Sequence, residues 1–329
     1  MLILSESDLR AVLTMREVIE AVEHGFRAIG GGLVKVPERL RLDVHRHHGI
    51  VLEMPAYLDS LDGDDPGALG TKIVSVFPDN APRGLDVIQA SFLLLDSETG
   101  TPLSLMDGRF ITAVRTAATS AVATKFMATA GAKRAAVFGA GVQAEFHVEA
   151  MIEAAEVERV MIVSRNRERA TGLAQRVSTV HGVPCDIETS DQAASTANLI
   201  CTCTSSPTPL FDGKLLTQGA HINAVGAFSP STRELDTETV LNARVIIDAQ
   251  SAAGREAGEL LIPLSEGLIN AAHIKGTLAD VVCGRVAGRE SASEITIFKS
   301  CGLAIEDLVT ARLAYSRAVI EGIGITVEM

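Results

Sequence analysis

The chain has 329 residues with 29 Lys and Arg against 41 Asp and Glu, and its net charge of −12 argues against nucleic acid as a partner. That length allows about two domains, and a hydrophobic fraction of 47% beside 21% charged residues points to a large core and a buried subunit interface. No apolar run approaches the ~18 residues of a membrane span, Glu6 and Asp8 come too early for a signal peptide, and five cysteines, an odd number, fit the reduced thiols of a cytoplasmic protein.

From Ser5 to Ile29 the apolar residues Leu9, Val12, Leu13, Val18, Ile19, Val22 and Phe26 follow helical spacing, and Gly30, Gly31 and Gly32 end the helix. A two-residue period follows: Val34, Val36, Leu40, Leu42 and Val44 on one face, Lys35, Arg39, Arg41 and Asp43 on the other. After the histidine-rich turn at His45, His47 and His48, read as an exposed hairpin tip, Ile50, Leu52 and Met54 resume the pattern. Strands are expected at Gly70 to Phe77 and Ile88 to Leu95. The acidic loop between Asp59 and Gly67 lacks the spacing and the closing Glu of a calcium loop. Strands in succession without helices imply an antiparallel sheet, a domain of its own over residues 1–115. An Ala- and Thr-rich helix from Ile111 to Thr129 is expected to bridge to the next domain.

Over residues 116–301 the pattern becomes strand–helix–strand, the mark of a doubly wound parallel sheet, so the fold class is α/β. Its strands are read at Ala135 to Phe138, Val160 to Val163, Cys185 to Glu188, Leu199 to Cys203, His221 to Val225, Val245 to Asp248 and Ile295 to Phe298. Between the first strand and its helix stand Gly139, Gly141 and Ala144, the G-x-G-x-x-A turn of a Rossmann dinucleotide site. The bare pattern is weak; a buried apolar strand before it and a helical stripe of Val142, Phe146 and Ala150 after it make it specific. Gly139 permits the tight turn, and Gly141 lets the backbone approach a pyrophosphate at the helix N-terminus, beside Val142 and Gln143. The second strand ends in Ser164, Arg165, Asn166 and Arg167 where an NAD site usually carries a carboxylate. Arg165 can pair with a 2′-phosphate, which favours NADPH and leaves NADH as the poorer cofactor. The helix from Leu303 to Ile320, within residues 302–329, is expected to return to the first domain.

Three cations stand in informative places. Lys72 lies in a mostly apolar strand, Arg115 near the start of the Ile111 helix, and Arg39 on a polar strand face. Converging on one cleft, they would clamp a carboxylate. Singly, each reads equally well as a surface or ion-pair residue. Cys201 and Cys203 have the look of a metal pair but lie in an apolar strand and are read as buried small residues, so no metal is expected. With no nucleophile elbow, no H-E-x-x-H and no P-loop, hydride transfer is the remaining chemistry.

Ordered blocks over nearly the whole chain resemble the ornithine cyclodeaminase/mu-crystallin family: Val36 to Arg39, Glu53 to Tyr57, Gly70 to Lys72, Met106 to Gly108, Thr112 to Ala118, Gly139 to His147, His221 to Pro230 and Phe298 to Gly302. The resemblance implies a homodimer, with a Rossmann domain and an antiparallel dimerisation and substrate domain completed by the C-terminal helix. It puts carboxylate-binding cations at Arg39 (or Arg41), Lys72 and Arg115, with Met54 and Phe228 also at the substrate. It adds Thr116, Thr202, Val225, Gly226 and Ser300 to the cofactor contacts. Cyclodeaminases of the family carry an Asp where this chain has Phe228, so the resemblance favours its ketimine reductases. These act on small cyclic imino acids such as Δ1-pyrroline-2-carboxylate or Δ1-piperideine-2-carboxylate, giving L-proline or L-pipecolate. Lys72 and Arg115 are then the catalytic candidates, Lys72 for proton delivery. An open-chain, alanine-like dehydrogenase, a cyclodeaminase and a non-catalytic ligand-binding protein are the alternatives.

Overall fold

The computed structural model describes residues 1–60 and 67–328, so most of the expected acidic loop lies outside the described residues. The chain forms two compact units, Met1–Arg115 with Leu303–Met329, and Thr116–Gly302.

The first unit opens with β1 (Leu2–Leu4), α1 (Glu6–Val12) and α2 (Met15–Gly30). Two helices thus replace the single expected one. The Thr14 hydroxyl accepts the Glu17 amide and caps α2, while Leu13 is extended and ends α1. Both starts carry a capping pattern, Ser5 with Asp8 and Thr14 with Glu17, which was the available signal for the break.

The strands that follow are β2 (Val34–Lys35), β3 (Leu40–Val44), β4 (Gly49–Leu58), β5 (Ala68–Val76), β6 (Ile88–Leu95) and β7 (Pro102–Asp107). Among the described residues they form an eight-stranded sheet in the order β1, β7, β6, β5, β4, β2, with a short C-terminal strand (Ile325–Thr326) outside β1 and β3 also on β4. Neighbours from β4 to β7 are antiparallel, while β1 runs parallel to β7.

Because residues directly opposite share a face, the register sorts the side chains. Met54, Lys72, Phe92 and Met106 pair across four strands and are all buried. The C-terminal helix (Ala304–Glu321) packs over this face and against α2. Leu40 and Leu42 of the apolar stripe, with Ile73 of β5, look outward, at 59%, 58% and 52% exposure. Arg39 lies in an irregular stretch between β2 and β3 rather than on a strand. Pro37, which has no N–H for a ladder, precedes it.

Next comes α3 (Gly108–Met127), which starts three residues before the expected Ile111. Arg115 therefore sits two turns inside the helix, beyond the first-turn dipole expected to help it bind an anion. The second unit contains β8 (Lys133–Phe138), α4 (Val142–Ala154), β9 (Val157–Val163), α5 (Arg167–His181), β10 (Cys185–Ile187), β11 (Leu199–Thr202), β12 (His221–Ala224), β13 (Ala243–Ile247), β14 (Ile274–Thr277) and β15 (Ile295–Lys299). Among the described residues these strands make an all-parallel sheet in the order β10, β9, β8, β11, β12, β15, β13, β14. The strand order reverses between β8 and β11, where doubly wound folds open a ligand crevice at the strands' C-terminal ends. Helical side chains cover both faces, so the central strands read as unbroken apolar runs.

Candidate active site

In the first unit two of the expected cations meet. Lys72 Nζ lies 2.7 Å from Asp307 Oδ2 and donates to Asp307 Oδ1 at 2.9 Å. Arg115 Nε donates to the same Oδ1 at 2.8 Å, and its Nη1 donates to Glu306 Oε2 at 2.5 Å. Lys72 also reaches the Thr112 hydroxyl at 3.3 Å. The two cations and two carboxylates are at most 5% exposed, and their formal charges cancel. Burial pushes the Lys72 pKa down to about 8, and the Arg115 guanidinium adds to that, while Asp307 pulls it back up. For Arg115 burial acts downward too, but Asp307 and Glu306 outweigh it and raise its pKa.

Glu306 and Asp307 are site residues that the sequence reading missed. Their signal is two carboxylates inside the apolar run Ala304, Ile305, Leu308, Val309, all buried. Arg39 is half-buried one residue before β3. Leu40 pairs with Glu53 and Met54 with Lys72, so the chain at Arg39 enters β3 one residue before the first paired position. Arg41 is exposed and bonded to Asp43 at 2.8 Å.

In the second unit the glycine turn has the geometry of a dinucleotide cradle. Gly139 has φ +129°, and a Cβ there would meet the Cys203 carbonyl at 2.9 Å, so only glycine fits where β8 passes β11. A Cβ on Gly141 would meet nothing, and no side chain caps the α4 N-terminus, whose amides stay open to an anion. Val142 is exposed, and Gln143 Oε1 is buried without a hydrogen-bond partner among the described residues. At the end of β9, Arg165 is exposed and has no partner among the described residues. Ser164 Oγ accepts the Asn166 amide, and Asn166 caps α5 by accepting from Arg169. The glycine turn and the open α4 N-terminus fit a dinucleotide phosphate chain.

The remaining expected contacts divide between loop ends and buried anchors. Thr116 is half-buried on α3. The Thr202 carbonyl accepts the Val225 and Gly226 amides at 3.0 and 3.1 Å. Glu234, with burial pushing its pKa up, ties two strand ends together by accepting from Gly226 N and Thr204 N at 2.8 and 2.7 Å. A Cβ on Gly226 would come within 2.6 Å of that carboxylate. Buried Lys299 donates to the Ala227 carbonyl and pairs with Glu259 at 3.2 Å, holding the segment that presents Phe228, which is 52% exposed. Ser300 is buried, and its hydroxyl donates to Asp248.

The chain matches the model of the ornithine cyclodeaminase/mu-crystallin family over residues 1–322. It is 36% identical to a Δ1-pyrroline-2-carboxylate reductase of Bacillus cereus over 330 residues, covering all of both chains. Among solved structures, it superposes with a TM-score of 0.95 and 41% identity on the Thermococcus litoralis Δ1-pyrroline-2-carboxylate reductase in complex with NADH and L-proline, covering 99% of this chain and all of that one. An archaeal alanine dehydrogenase dimer with bound NAD gives 0.92 and 30%, covering 99% and 98%. With a family match over nearly its whole length and this two-unit fold, the protein belongs to the ornithine cyclodeaminase/mu-crystallin family.

Proposed function

We propose that the protein is an NADPH-dependent reductase of a small cyclic imino acid, Δ1-pyrroline-2-carboxylate or Δ1-piperideine-2-carboxylate, giving L-proline or L-pipecolate. The observation that carries this reading is the buried Lys72–Arg115 pair, neutralised by Asp307 and Glu306. The family resemblance adds Arg39 to this pair as a further cation for a substrate carboxylate. NADPH, when bound, supplies a hydride to the imine carbon. Arg39 and Arg115 orient the carboxylate, and the Lys72 ammonium hands its proton to the ring nitrogen, then takes one back from solvent. Phe228 brings apolar surface suited to ring methylenes and no carboxylate for a substrate ammonium. A homodimer belongs to the same proposal, since the outward stripe of Leu40, Leu42 and Ile73 is a sheet face that a second copy would cover. So does a reducing, cytoplasmic location, in keeping with five free cysteines.

Purified protein with NADPH and Δ1-pyrroline-2-carboxylate is expected to consume cofactor and form proline, with pyruvate plus ammonia a much poorer pair and no ammonia released from ornithine. Faster turnover of pyruvate would replace this reading with an alanine dehydrogenase, the activity named for the archaeal neighbour. Cofactor binding without turnover of any of them would leave a binding protein.

Cofactor choice is expected to rest on Arg165. Losing a charge-assisted pair to the 2′-phosphate costs about 1.5–3 kcal/mol, roughly ten- to a hundredfold in NADPH affinity. Titration of NADPH and NADH against wild type and Arg165→Ala checks it. Equal affinities in wild type, or an unchanged preference in the variant, sink the assignment.

A further inference from the structure

One cluster of metal-ligating side chains lies outside the chemistry above. Cys201, in β11, and Cys203, one residue past its end, lie two apart, so strand alternation turns both to one face. Cys203 stays in register there, its amide donating to the Phe138 carbonyl at 2.9 Å. That face is covered by α4, which brings His147 down onto it. One donor atom from each of His147, Cys201 and Cys203 lies within 4.8 Å of the others.

The imidazole is set up as a ligand. It is fully buried, with the ring held between α4 and the β11 face. Its Nδ1–H donates to the Gln143 carbonyl at 2.7 Å, which leaves the Nε2 lone pair pointing inward, with the Ser120 hydroxyl 3.0 Å away as donor. A backbone carbonyl on one ring nitrogen with the other directed at the ion is how metal-bound histidines are commonly oriented. Two thiols and one imidazole are borderline-soft donors, matched to a d10 divalent cation.

We propose that His147, Cys201 and Cys203 form a zinc site, with the Ser120 hydroxyl or water completing a tetrahedron. Binding exchanges two thiol protons, released to solvent, for two zinc–sulfur bonds, with no change of oxidation state. Cys203 is only half-buried, and a Cβ built on Gly139 would lie 3.4 Å from its sulfur. The ion would therefore adjoin the glycine turn, and zinc is expected to weaken NADPH binding. That last clause rests on the dinucleotide reading; the zinc count below does not.

Equilibrium dialysis of the reduced, full-length protein against zinc chloride is expected to retain one zinc per chain. Cadmium chloride in its place is expected to produce a thiolate charge-transfer band. Cys203→Ala should bind zinc at least about tenfold more weakly and lose that band, whereas Cys283→Ala, at a thiol elsewhere, should behave as wild type. Zinc bound as tightly by Cys203→Ala as by wild type would mean that other groups, such as the exposed histidines of the β3–β4 turn, hold it, and would overturn the site. So would a wild-type cadmium complex without the thiolate band, which keeps the test decisive even if the variant does not fold.

Discussion

Lys72→Met is expected to lower kcat/KM for cyclic-imine reduction by about 10²- to 10⁴-fold, the usual worth of a positioned proton donor. The wild-type pH profile should carry the signature of the same group. Lys72 must be protonated to donate, and with its pKa at about 8 reduction should decline as pH rises through that value. Oxidation of proline, which needs the free amine, should rise through it. Both limbs should vanish in the Met variant. The same shift has a sign in stability. Below pH 8 the folded and unfolded chains both hold the proton. Between about 8 and the ordinary 10.5 only the unfolded chain does, so this group's contribution to stability rises with pH across that window. A variant that keeps a tenth or more of the activity, with the pH limb intact, would remove Lys72 from the chemistry.

Arg115→Ala is expected to cost about 3–5 kcal/mol of stability, the range for stripping the partner from buried charges. Asp307 would keep only Lys72, and Glu306 would lose its Nη1 partner inside a helix face that water does not reach. Urea unfolding of the variant measures the loss, and on the proposed reading activity should fall with it because Arg115 helps orient the substrate carboxylate. Pairing the change with Glu306→Gln removes one of the two charges that lose Arg115 and should recover part of the stability, a coupling that a double-mutant cycle isolates. A loss below about 1 kcal/mol in Arg115→Ala would fit an exposed ion pair and contradict the buried cluster.

The parallel-sheet unit was readable from the chain because each of its signals is local. A buried strand is an apolar run, and the turn into α4 needs glycine at φ +129°. Errors fell where a local pattern has two solutions. Helical spacing continues through Leu13 and Thr14, yet Thr14 captures the Glu17 amide and starts a new helix. Period-two alternation identified the two faces of β3 but could not say which one a helix would cover, and the helices cover the face opposite Leu40 and Leu42.

The sequence by itself therefore determined the α/β class, the nucleotide turn, the run of antiparallel strands and the cationic character of Lys72 and Arg115, all properties of residues within a few positions of one another. Only the tertiary structure decided what those cations face. Asp307 is 235 positions from Lys72 and reaches it because the C-terminal helix packs over the inner sheet face. His147 likewise meets Cys201 and Cys203 only because α4 folds back over β11. A buried charge or a buried imidazole selects its partner by distance in space under a low dielectric, and residue spacing along the chain carries no record of that distance.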